Sequence, residues 1–165
     1  MFLPFMVWSS FSYCIFSGMF IPFVNEIGHN EKYSEVLSWG FLVLATFGLG
    51  SCFGGTILSL FLNKLKDQPK KKRIVISCYH ALLTLISFSI FLYLNSMKSG
   101  LLTTNRKIQL LFLGFCWGLM DSAINNEISI VLSKEFKDSL GAFGVFKLVQ
   151  SSCNFLFLCF LIPYV

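Results

Sequence analysis

Asp121, Glu127 and Lys147 are ionisable residues set inside runs of apolar residues that otherwise suit hydrocarbon. On insertion scales a charge at mid-membrane costs about 2.5–3.5 kcal/mol, and such residues face protein or water rather than lipid. The chemistry open to them is to pair with one another, to line a polar path or to meet a polar partner. At 100° per residue, Asp121, Ser122, Asn125 and Ser129 share an arc of about 100° on one helix, with Asn126 and Ser133 just beyond. Lys147, Gln150, Ser151, Asn154 and Gly144 share an arc of about 120° on another. Each helix thus carries a polar stripe on a body of Phe, Leu, Ile and Val. The stripes predict a polar cavity or a charge-coupled helix interface, with Lys147 pairing with Asp121 or Glu127. Helical rise puts Lys147 about 12 Å from the end of its helix, Glu127 about 9 Å and Asp121 about 18 Å from the same-side end of theirs. Depth favours Glu127 as the partner, whereas the arc favours Asp121. A third course is for Lys147 and Glu127 to snorkel to the headgroups.

Catalysis finds no support in these residues. The run Gly118-Leu119-Met120-Asp121 is similar to the G-x-G-D signature of intramembrane aspartyl proteases. That chemistry needs two carboxylates sharing a proton, and Asp121 is the only Asp in any apolar run. Glu127 lies about 240° around the same helix. There is no H-E-x-x-H and no G-x-S-x-G, and His29 and His80 stand apart from other ligand types. The six cysteines (Cys14, Cys52, Cys78, Cys116, Cys153, Cys159) all lie in apolar stretches and form no C-x-x-C pair. They read as small hydrophobes rather than as a zinc site or disulfide framework. No cofactor and no metal site is expected.

The elements that must position the stripes follow from composition. The 165 residues are 55% hydrophobic and only 13% charged, with a mean hydropathy of +0.72. Soluble domains carry about 25% charged residues, so the chain has roughly half the charge a water-exposed surface needs. That excludes a soluble globule, a disordered tail and a nucleic-acid-binding domain. A hydrocarbon core of about 30 Å takes about 20 apolar residues as helix. Five runs meet that length, at 2–24, 36–62, 74–94, 108–132 and 139–165. In lipid each must satisfy its own backbone, so all five are expected as helices. The predicted fold class is an all-α polytopic membrane protein, with the lipid bilayer as its first partner and no nucleic acid.

Loop charge sets the orientation. Residues 63–73 hold Lys64, Lys66, Lys70, Lys71, Lys72 and Arg73 against one acid, a net of +5 that equals the charge of the whole chain. Basic loops stay cytoplasmic. The loop at 133–138, on the same side, adds Lys134 and Lys137, while the opposite loops hold Lys32, Lys98, Arg106 and Lys107. Eight basic residues against four place 63–73 inside. The acidic stretch 25–35 reads as a solvated turn without assigned function. Small residues mark helix packing: Gly50, Gly54 and Gly55 on the second run, with Gly48 nearby, and Gly114 with Gly118 on the fourth.

Residues 114–154 carry a family likeness. Gly118, Leu119, Asp121, Ser122 and Asn125 match a G-L-G-D-S-x-x-N motif, and Ala142, Phe143, Phe146, Lys147, Gln150 and Ser151 match A-F-x-x-F-K-x-x-Q-S. This resembles the uncoordinated-93-like family of the major facilitator superfamily, with Met120 standing where the family has its second Gly. Residues 47–57 look like that family's eighth helix. The resemblance implies a single partial major-facilitator carboxy-terminal half over 1–165, helices seven to eleven, with the amino-terminal half missing. It implies regulating or escorting a partner membrane protein such as a channel or receptor. The alternatives are small-solute transport and a fragment without activity of its own. Multi-pass membrane residence is expected.

Overall fold

The structure, a computed structural model, describes residues 3–14, 16, 18, 20–28, 32–64, 68–96, 103–136 and 138–161. Six helices account for nearly all of them: α1 (Leu3–Cys14), α2 (Phe20–Ile27), α3 (Tyr33–Asn63), α4 (Pro69–Ser96), α5 (Thr104–Glu135) and α6 (Ser139–Leu161). No strand occurs among the described residues. Four helices are long and apolar enough to cross a bilayer, over Tyr33–Leu60, Ile74–Ser96, Thr104–Ser133 and Leu140–Phe157. They fall on the expected runs 36–62, 74–94, 108–132 and 139–165, of which 162–165 lie outside the described residues.

The expected first span, 2–24, is different. It is described as two helices, α1 of 12 residues and α2 of 8, each shorter than the roughly 20 residues a crossing needs. Residues 15, 17 and 19 between them lie outside the described residues. Phe16 and Gly18, between α1 and α2, lie in wider π-helical turns. Four of the five expected spans coincide with single long helices among the described residues.

Helix ends also move outward from the apolar runs, because backbone hydrogen bonding does not stop where hydropathy does. Helix α4 begins at Pro69, so Lys70, Lys71, Lys72 and Arg73 lie in its first turns rather than in a loop. Proline is preorganised for the first helical position, and Lys and Arg are good helix formers. Lys64 stays in an exposed turn after α3, and Lys66 lies outside the described residues. Asp138 caps α6, its Oδ1 accepting the Gly141 N–H at 3.0 Å, which satisfies one of the orphan donors of the first turn.

The chain divides into two compact units, residues 23–123 and residues 1–22 with 124–165. In the first, α3 and α5 run parallel and meet almost backbone to backbone. A Cβ on Gly114 would stand 2.8 Å from the Val43 carbonyl oxygen, and one on Gly54 2.8 Å from that of Leu119. Gly50 likewise faces the Phe115 carbonyl, and Gly118 faces that of Phe47. Ser51 Oγ donates to the Gly118 carbonyl at 3.3 Å across the same seam. Leu58, Ile76 and Ala123 form the core that joins α3, α4 and α5, with Tyr79 against it. Met120 turns away from the seam: it is buried, with its Sδ 3.1 Å from Thr84 Oγ1 of α4. Gly48 and Gly40 are not part of the close approach, having nothing within 4 Å of an added Cβ.

In the other unit, Ile124, Ile128 and Leu132 of α5 pack on Phe146 of α6, with Ala142, Phe143 and Val149 around them. Helix α1 lies on α6, where Phe11 meets Phe157 edge-on at 4.9 Å. Half of the spanning window of α5 is buried, against 6% of that of α6.

Candidate functional site

Helices α1, α5 and α6 bring four polar side chains into one hydrogen-bonded chain. Lys147 Nζ donates to Gln150 Oε1 at 2.9 Å. Gln150 Nε2 donates to Ser9 Oγ at 3.3 Å, and Ser9 Oγ donates to Asn125 Oδ1 at 3.4 Å. The links run from an exposed lysine on α6, through the half-buried amide of Gln150 and a serine that is 1% exposed, to the half-buried amide of Asn125. An amide offers both donors and an acceptor, so Gln150 can hold the ammonium with its oxygen while its NH₂ reaches α1. Ser10 and Ser12 of α1 are buried beside Ser9 in sequence.

The α6 stripe splits in two. Gln150 and Asn154 are half-buried, whereas Gly144, Lys147 and Ser151 are exposed. On α5, Asp121, Ser122, Asn125 and Glu127 are all half-buried, and the Oδ1 atom of Asp121 is out of reach of solvent. Asp121 and Ser122 belong to the unit 23–123, and Asn125, Glu127, Lys147, Gln150, Ser151 and Asn154 to the other.

Within its unit, and among the described residues, Lys147 pairs with no carboxylate, Glu127 included. Its contacts are Gln150 and the ring of Phe146, whose centroid lies 5.1 Å from Nζ. Snorkelling would carry the ammonium toward the nearer helix end at Ser139, about 12 Å away. Instead the ammonium is tied to a residue one turn deeper.

Two features were beyond the reach of sequence reasoning. Ser9 is one, since a hydroxyl in an apolar run gives no periodic signal; the cluster Ser9, Ser10, Ser12 was the available hint. The other is the acidic stretch before α3. Lys107 Nζ pairs with Glu35 Oε1 at 2.9 Å and lies 4.9 Å from the ring centroid of Trp39. That cluster ties the first turn of α3 to the first turn of α5, so 25–35 is not wholly a solvated turn.

Among the described residues no group of three His, Cys, Asp or Glu could hold a metal ion. His80 Nδ1 shares a hydrogen bond with Thr84 Oγ1 at 3.0 Å, within its own helix. Cys52, Cys78, Cys116, Cys153 and Cys159 are free thiols. What the chain of links does chemically is fix a cation in place at the outer face of α6.

A family model described as ion channel regulatory protein UNC-93 matches residues 1–165, the whole chain. The chain belongs to that family. No curated protein and no solved structure gives a significant match. With four helices able to cross a bilayer, this UNC-93 chain is a multi-pass integral membrane protein of a channel-regulating family. The residues of the A-F-x-x-F-K-x-x-Q-S run fall on both faces of α6. Ala142, Phe143 and Phe146 pack on α5, and Gln150 turns to α1. Lys147 and Ser151 remain exposed.

Proposed function

We propose that this UNC-93 chain regulates or escorts a partner membrane protein, a channel or receptor, through contacts made within the bilayer. The observation that carries this reading is the outward half of the α6 stripe. A cation, a glycine and a serine stand exposed on a helix that crosses hydrocarbon, where lipid is the wrong neighbour. The inward half, Gln150 with Ser9 and Asn125, holds that face in register. Asp121, Ser122 and Asn154 complete the polar intramembrane face, and Gly50, Gly54, Gly55, Gly114 and Gly118 serve helix packing.

The orientation we propose puts Lys64, Lys66, Lys70, Lys71, Lys72 and Arg73 on the cytoplasmic side. Glu35 and Lys107 then lie on the opposite side, which their ion pair supports. Helices α3 to α6 correspond in this reading to the eighth to eleventh helices of a major-facilitator protein, one partial half over 1–165.

The test is purification of the tagged protein from its own membranes in mild detergent, followed by removal of the protein from the cell. A channel or receptor should co-purify in near-fixed ratio and lose surface level or current when the protein is absent. Saturable solute uptake by vesicles holding the purified protein alone, abolished by Asp121→Asn, would replace this reading with transport.

A further inference from the structure

We infer that the basic first turn of α4 binds phospholipids whose headgroups carry phosphate monoesters, the polyphosphoinositide class. This goes beyond the regulatory reading and does not depend on it. The membrane-crossing part of α4 opens at Ile74, whereas the helix itself begins at Pro69. By helical rise, Lys70 lies about 6 Å and Arg73 about 1.5 Å outside that boundary. The headgroup region is about 5–8 Å thick on each side of the hydrocarbon, so the helix holds all four cations at headgroup depth. Four successive residues cover about 300° of a helix. That is more than one protein face can meet, but a surrounding lipid layer does meet it. Among the described side chains, Lys71 is exposed, and so is Lys64 in the turn after α3.

This turn is short of anions. A helix start favours acids and disfavours cations, because its unpaired N–H groups carry partial positive charge. Helix α4 has no acid in its first turn, and none anywhere along its 28 residues. Residues 63–73 hold one acid, Asp67, against six bases, so five positive charges stay unmatched within the segment. Marking topology requires the charge but not a helix that begins before it. A phosphate monoester meets both demands. It accepts hydrogen bonds from ammonium and guanidinium groups and from the free N–H groups of a helix start. Its multiple charge lets one lipid engage several cations, where phosphatidylserine brings a single net charge.

Lipid nanodiscs holding the full chain test this. Discs of phosphatidylcholine receive phosphatidylserine or phosphatidylinositol bisphosphate to the same total charge, and the lipid retained on the protein is read by native mass spectrometry. The bisphosphate should be retained saturably and well above phosphatidylserine, and salt should release it. Each cation near the surface contributes about fivefold to binding. Lys70→Gln with Lys71→Gln should therefore weaken retention about twenty-five-fold, while Lys70→Arg with Lys71→Arg should keep it. Lys32→Gln, at the other end of α3, should have no effect. Equal retention of the two anionic lipids would reduce the turn to diffuse charge and overturn the inference. Retention that neither salt nor the Gln pair changes would place the lipid elsewhere and overturn it too. Should the Gln pair not fold, competition by soluble inositol trisphosphate on the unmodified chain decides. Displacement of the lipid upholds the site, and its absence at saturating competitor rejects it.

Discussion

In residues 23–123, α3 and α5 meet through Gly50, Gly54, Gly114 and Gly118, with one helix's carbonyls lying where the other's Cβ atoms would be. In residues 1–22 with 124–165, the helices are joined by side chains instead, through Ser9, Asn125, Gln150 and Lys147. Between helices in lipid there is no hydrophobic drive, so contact must come from close packing or from hydrogen bonds. The glycine seam uses the first means and admits no variation, because what lies opposite is backbone. The polar chain uses the second, through amides and a hydroxyl that can each donate and accept. The first arrangement suits a fixed scaffold. The second suits a surface that must present a charge to something else.

Overfilling the seam should do the most damage. Gly118→Val places a branched side chain against the Phe47 carbonyl and the Ser51 N–H, and should cost about 3 kcal/mol or prevent assembly, as overpacking does. Gly48→Val, on the same helix as Gly50 but with open space around it, should leave the melting midpoint in lipid nanodiscs unchanged. Equal loss in both would dissolve the distinction between seam and surface.

The polar chain should respond less steeply. Gln150→Leu removes two hydrogen bonds and the acceptor of the Lys147 ammonium, an expected loss of about 1–2 kcal/mol at the upper end of values seen between membrane helices. Ser9→Ala breaks two longer links and should cost about 0.6 kcal/mol. Combined with Gln150→Leu it should add little, since the two changes share a bond. Strict additivity in a stability series would mean that the chain is not one network.

The smallest effect is expected at Glu35. Glu35→Gln gives up an ion pair with Lys107 at a half-exposed helix end, and any shift in the midpoint should shrink further in high salt. A large, salt-independent loss would instead make this end of α3 and α5 part of the scaffold.

Spans α3 to α6 were legible because uncharged or nearly uncharged runs of sufficient length have one solution in lipid. The spanning stretch begins at Ile74 as the apolar run predicts, while the helix reaches back to Pro69 because Lys70 to Arg73 look like a loop by charge and fold as helix by propensity. Glycine spacing named small residues on α3 and α5, but which of them meet, and that Gly48 does not, depends on register between helices. Charge logic offered Lys147 a carboxylate on α5, whereas it sits with Gln150 and Phe146. An amide one turn away on the same helix is within reach whatever the register between helices, and sequence arcs do not weigh it.

The division between a fixed seam and a presenting face is tested most directly by one paired measurement on Lys147→Gln. Its melting midpoint in nanodiscs and the amount of partner it retains on purification are read from the same preparation. The expected result is an almost unchanged midpoint with retention lowered about thirtyfold or more. A midpoint that falls in step with retention, or retention that does not fall, would contradict it.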